Sequence, residues 1–113
     1  MMHVSVGRLR FKSSTTGLRF LWRGALAYLQ ARRANGIIHA AVYREDIRTL
    51  WSLSVWSSSE AMRDYRNTGS HLRVMKMARR VEARVDFRHW ESDVVPSWED
   101  ARLRLTEQID SSS

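Results

Sequence analysis

Apolar positions recur along this chain with two different periods, and the places where one period gives way to the other mark its elements. Within residues 3–11, Val4 and Val6 share one phase while Leu9 and Phe11 share the other. That pattern predicts a short or bulged first strand with its irregularity at Gly7 and Arg8. From Leu18 to Arg33 the apolar residues Leu18, Leu21, Trp22, Ala25, Leu26 and Leu29 follow helical spacing, which predicts an amphipathic helix with that face buried. Arg32 and Arg33, followed by Asn35 and Gly36, give it a basic last turn and a left-handed stop.

Ile37–Tyr43 is apolar enough to be a strand covered on both sides. Arg44–Asp46 turns the chain, and Arg48–Trp56 returns as an antiparallel partner. The run Leu50–Trp56 carries two Trp and a β-branched Val and stops at three Ser, which suits a strand buried on both faces better than a helix. Trp51, Leu53 and Val55 then share one face, and Leu50, Ser52, Ser54 and Trp56 share the other. The Ser cluster caps a following helix, Ser57 and Glu60 having the capping-box spacing, and this helix breaks around Gly69 before running on to Met77.

Glu82–Trp90 alternates Ala83, Val85, Phe87 and His89 against Arg84, Asp86 and Arg88, as an edge strand does. After Pro96 a capped terminal helix is expected to pack through Trp98, Ala101 and Leu105, leaving a disordered tail at 110–113 beyond a single domain of residues 1–109. The order β-α-β-β-α-β plus a short helix is the α+β, ferredoxin-like split β-α-β arrangement. Two helices cover one face of such a sheet. The second and third strands nevertheless read as buried on both faces, which predicts a homodimer whose second copy covers the other.

Composition narrows the classes. The chain has 113 residues, one domain's worth, and no Cys, so neither a disulfide framework nor a thiolate metal site is available. The amino-terminal residues lack the apolar stretch of a signal peptide and no later run can span a bilayer, so the expected location is the cytoplasm and no membrane partner is expected. Seventeen Arg and two Lys against twelve acids give a net charge of +7. Basic charge favours nucleic acid or anionic lipid in general. Here the Arg are spread over every element, and the pairs Arg32–Arg33 and Arg79–Arg80 end helices where cations suit the dipole, so a nucleic-acid role is not favoured. Five Trp in so short a chain either line a pocket or interface or fill a small core.

His71 stands out among the titratable residues, because it follows the helix break and its ring can enter the space between helix and sheet. An imidazole there can act as a general base or bind heme iron; it can also be structural, bonded to a backbone carbonyl freed by the break. His39, on a strand, is the second candidate, and His3 and His89 look peripheral. No His pair has helical metal-ligand spacing. Small polar residues beside a Trp suit a pocket wall, which places Ser52, Ser54 and Trp56 toward the helices with Tyr65 and His71 opposite, unless both faces are simply packed. Neither a Ser-His-Asp order nor a phosphate-cradling glycine loop is present.

Leu-Trp-Ser-Leu-Ser-Val-Trp at 50–56, Ser-Glu-Ala-Met at 59–62, Gly-Ser-His at 69–71, Met75, Trp90 and Pro-Ser-Trp-Glu at 96–99 together resemble the dimeric α/β-barrel superfamily, within it the small proteins related to antibiotic-biosynthesis monooxygenases. The resemblance covers most of the chain and is strongest over residues 36–99. It implies a ferredoxin-like subunit, a dimer whose two sheets form a barrel, and a pocket in each subunit between sheet and helices. The superfamily includes cofactor-free oxygenation, heme degradation, other heme-dependent reactions and ring closures, so membership does not fix a reaction. The heme-degrading branch expects a Trp and a His where this chain has Tyr65 and Met75, and an Asn that its first strand lacks. A heme-dependent role of another kind remains compatible with the helical His71. The resemblance thus implies a small monooxygenase-like enzyme, cofactor-free, acting on an aromatic or apolar small molecule. His71 is its expected acid–base residue, and Ser52, Ser54, Trp56, Tyr65 and His39 are expected around the substrate. A heme protein with His71 on the iron, or a non-catalytic small-molecule-binding module of the same fold, are the alternatives.

Overall fold

A computed structural model describes residues 1–112, with side chains through 108. The elements are β1 (Met2–Arg10), α1 (Ser14–Arg33), β2 (Ile37–Asp46), β3 (Thr49–Trp56), α2 (Ser59–Arg66), α3 (Gly69–Arg80), β4 (Arg84–Ser92) and α4 (Trp98–Ser112). The strands form one sheet in the order β2-β3-β1-β4, every neighbouring pair antiparallel. This is the ferredoxin-like α+β arrangement that the element order predicts. Ser113 and the side chains from 109 onward lie outside the described residues, and the disordered tail expected at 110–113 is corrected over 110–112, which continue α4.

β1 runs through the centre of the sheet without a bulge, its register unbroken against both β3 and β4. The phase shift in its sequence has another cause: both of its faces are buried. Val4 and Val6 belong to a core with Trp51, Leu53, Val55, Ala101 and Leu105. Leu9 and Phe11 belong to a second core on the other face, with Phe20, Ala27, Val74 and Ala78. Helices α1 and α3 lie on that second side, and α4 covers the first.

α4 therefore supplies within one chain the cover that the sequence assigns to a second copy. Ser97 caps it, its Oγ accepting from Asp100 N at 3.1 Å. Ala101 and Leu105 are fully buried, Trp98 stacks near Tyr43, and Arg102 pairs with Glu45 at 3.1 Å. Beneath α4, Arg8 and Asp86 pair across β1 and β4 at 2.9 Å.

Four local expectations are corrected. α1 begins at Ser14 behind an Ser13 cap, and it buries Gly17, Phe20, Ala27 and Ala31 rather than the wider stripe of Leu18, Leu21, Trp22, Leu26 and Leu29, which faces outward. A sheet approached closely by a helix selects small residues at the contact, and a Cβ on Gly17 would run into the Ile47 carbonyl. β2 is an edge strand with no fully buried residue, Ile38 and Val42 being exposed, so it is not covered on both sides. The hairpin turns at Ile47–Arg48, where Asp46 Oδ1 accepts from Arg48 N at 2.8 Å. Finally, α2 is capped by Ser58, whose side chain accepts from Ala61 N, and not by Ser57.

Two Leu at helical positions separate the cores from the outward stripe. Leu105→Ala is expected to cost about 2–5 kcal/mol of unfolding free energy in urea, and Leu26→Ala no more than about 0.5 kcal/mol. Equal losses would show that α4 is not seated on the sheet.

Candidate active site

On the α1–α3 side the sheet carries a floor of small residues. The antiparallel registers set Ser5 beside Ser54, Gly7 beside Ser52, and Ala40 and Val42 beyond them. Gly7 leaves room that a side chain would take from Ser52, since a Cβ there would lie 3.2 Å from its Oγ. Above this floor α1 presents Gly24, Ala27 and Ala31, also small. Where small residues face small residues the layers fail to interdigitate, and a cavity of about 120 Å³ remains. Its walls are completed by Met62, Tyr65, Arg66, His71, Val74 and Met75 from α2 and α3.

The helix break is held by a residue the sequence reading passed over. Gln30 of α1 donates from Nε2 to the Thr68 carbonyl at 2.9 Å and to the Tyr65 carbonyl at 3.3 Å, and its Oε1 accepts from His71 N at 2.9 Å. One amide thus serves a carbonyl in the last turn of α2, the carbonyl of the residue that caps α3, and a donor in the first turn of α3. Gly69, at φ +62, turns the chain tightly between them, close to that same amide. The signal in the sequence is faint: a single polar residue on the rim of α1.

This stitch aims His71 into the cavity. Its ring lies 4.7 Å from that of Tyr65, and its Nδ1 is buried with no hydrogen-bond partner in the chain. Burial pushes its pKa below the usual 6.5, opposed by the nearby Arg66 backbone and helped by the Arg66 charge, which favours the neutral imidazole at pH 7. Tyr65 donates to the Ala27 carbonyl at 3.1 Å, and burial raises its pKa, so the phenol stays protonated and fixed.

Of the residues singled out from sequence, Ser52, Ser54, Tyr65 and His71 line the cavity together. Trp56 stands behind them, fully buried and 5.0 Å from Tyr65 ring to ring. His39 is corrected: it pairs with Val55 on β2, so its side chain leaves the sheet on the α4 side, exposed and away from the cavity. His3 is corrected too. It is buried rather than peripheral, with its Nε2 3.1 Å from His89 Nδ1. Among the described residues no group of three or more His, Cys, Asp or Glu could hold a metal ion, and no helix is long and apolar enough to cross a membrane.

Two measurements test this geometry. Gln30→Leu is expected to destabilise the chain by about 1 kcal/mol, because it removes hydrogen bonds to partly buried backbone groups, and to speed amide exchange at 65–71 more than elsewhere. An imidazole titrated by NMR should assign His71 a pKa below 6.5. Since the unfolded chain takes up that proton first, stability is full above pH 6.5 and falls as the pH drops from there through the folded value. His71→Gln should flatten that fall, and an unchanged slope would mean that the ring is exposed.

No protein-family model matches the chain, and no curated protein matches its sequence. Solved structures do match its fold. SnoaB from Streptomyces nogalater, a cofactor-independent oxygenase, superposes with a TM-score of 0.67 over 85% of this chain and 98% of its own, at 15% identity. A candidate antibiotic biosynthesis monooxygenase from Deinococcus radiodurans gives 0.73 over 84% and 96%, at 11% identity. Rv0793 from Mycobacterium tuberculosis gives 0.68 over 86% and 100%, at 16% identity. The chain therefore has the fold of the antibiotic biosynthesis monooxygenase-like proteins, the one its sequence resembles.

Proposed function

We propose that the chain is a small oxygenase-like enzyme that takes an electron-rich aromatic or otherwise apolar molecule into the cavity, uses His71 as its acid–base residue and needs no cofactor. The observation that carries this reading is the His71 ring on the cavity wall, its Nδ1 buried and unpartnered. A neutral imidazole with a free ring nitrogen is a base awaiting a proton donor. In this reading it takes the proton of a substrate hydroxyl. The resulting anion, desolvated by Val74, Met75 and Met62, supplies the electrons that dioxygen accepts. Ser52 and Ser54 offer hydroxyl groups to the substrate from the floor, and Tyr65, backed by the fully buried Trp56, forms its aromatic side. SnoaB, with the same fold, is a cofactor-independent oxygenase, which supports the cofactor-free form.

The dimensions favour a single ring in the enclosed part. A cavity of about 150 Å³ takes one benzene, and this one is about 120 Å³. A larger substrate would leave its remainder in the mouth. A heme, the second reading, is several-fold larger than that room, and His71 is not proposed as an iron ligand. A homodimer belongs to the reading through the superfamily resemblance. Because α4 lies on the sheet face that such a partner would use, pairing would require α4 to shift or to be shared.

Oxygen uptake measured with a panel of phenols and hydroquinones tests the proposal. His71→Ala is expected to lower kcat/KM by about 100-fold or more, and the native pH profile should lose activity as the pH falls through the His71 pKa, below 6.5. Full turnover in His71→Ala would remove the residue from the mechanism. Tight substrate binding without oxygen uptake would leave a binding module.

A further inference from the structure

The net charge of the chain is not spread over its fold. α1 carries Arg19, Arg23, Arg32 and Arg33, and α3 carries Arg73, Lys76, Arg79 and Arg80; neither helix contains an acid. Those eight exceed the whole net charge of +7, and the rest of the chain, with eleven basic and twelve acidic residues, is one unit negative. All eight basic residues except Arg23 are exposed. The two helices pack side by side, so they form one basic layer on the side of the molecule opposite α4.

An apolar ridge runs along the same layer. Leu18, Trp22, Ala25 and Leu29 fall on the outward line of α1, with Leu21 and Leu26 beside it. Trp22 is 57% exposed, Leu18 49%, Leu29 45% and Leu26 43%. The ridge extends about 16 Å, the rise of eleven helical residues. Arg23 lies 4.5 Å above the Trp22 ring, placing charge directly beside it. A solvated helix face would not carry Leu and Trp here; a packed one would not carry them ringed by Arg.

We propose that this layer docks on an anionic lipid bilayer surface, with the α1 ridge entering the headgroup region and the Arg and Lys of both helices pairing with lipid phosphates. Leu and Trp on one line of a helix flanked by basic residues match that environment on both counts. The charge pattern argues against the other occupants. A second copy brought ridge to ridge sets eight basic residues against eight, with no acid on either helix to answer them. A nucleic acid would answer the charge and leave the Leu side chains in water. Docking of this kind needs no spanning segment, so the absence of one, on which the expectation of no membrane partner rests, does not bear on it. The inference also stands apart from the reading of the cavity.

Co-sedimentation of the whole chain with phosphatidylcholine vesicles, with and without phosphatidylglycerol, is the test, read together with Trp fluorescence. Binding is expected only to the phosphatidylglycerol vesicles, with a blue-shifted emission, and it should weaken as salt rises. The surface variants Arg19→Ser/Lys76→Ser and Trp22→Ser/Leu26→Ser should each reduce the vesicle partition coefficient by about tenfold or more, with melting temperatures near that of the native chain. Failure to bind anionic vesicles at low salt would overturn the proposal, as would binding unaffected by either variant. An oligomer in lipid-free solution that Trp22→Ser/Leu26→Ser dissociates would assign the ridge to a second copy. Tighter binding to duplex DNA than to the vesicles would assign the layer to nucleic acid.

Discussion

Because side chains alternate across a strand, Trp51, Leu53 and Val55 leave β3 toward α4 while Ser52 and Ser54 leave it toward α1 and α3, and the two halves of the molecule take their character from that division. On the first side, large side chains meet Val4, Val6 and Leu105 and fill the space. On the second, the small residues of three strands meet the small residues of α1, and the space stays open. The cavity is a consequence of sequence composition on one face of one sheet, and it needs no separate device to create it. A one-residue slip of β3 would exchange the two faces and put Trp51 where the cavity now lies.

What the cavity does need is a wall. The second helical segment would present a continuous surface if it ran unbroken, and it is the interruption at 67–68 that lets α3 start afresh with His71 in its first turn. An interruption of this kind exposes backbone donors and acceptors, whose burial without partners is costly. Gln30 meets that cost from a neighbouring helix, and a Gln is suited to it because one side chain both donates and accepts. The site is in this sense a property of α1 as much as of the helix that bears the His.

The elements were legible in the sequence wherever a period of two or of helical spacing was strong. The Leu50–Trp56 run, the alternation of β4 and the seating of Trp98, Ala101 and Leu105 all follow from side-chain periodicity alone. The apolar stripe of α1 was misread for a physical reason. Periodicity locates an apolar face but not what covers it, and here the close contact with the sheet is made by Gly17, Ala27 and Ala31, whose weak hydrophobicity carries little signal. β1 misled in the opposite sense, since burial on both faces mimics a slipped phase. His71, Ser52, Ser54 and Tyr65 could be singled out because they are polar or aromatic beside a break or in a strand. Ser5, Gly24, Ala31 and Ala40 could not, because a residue that contributes emptiness has no chemistry to announce it.

The reach of the Gln30 contacts along the chain has a kinetic meaning. His71 lies 41 residues beyond Gln30, and while Asn67 and Thr68 close the end of α2 locally, the His71 amide finds its partner only on α1. Each segment can coil locally, whereas the Gln30 contacts require the chain between, β2 and β3 included, to return against α1. The roof over the cavity is thus joined to α1 through two long-range side-chain contacts, those of Gln30 and of Tyr65 with the Ala27 carbonyl. A loosening of that junction would displace His71 and Tyr65 together, the two rings that the break sets side by side on the cavity wall.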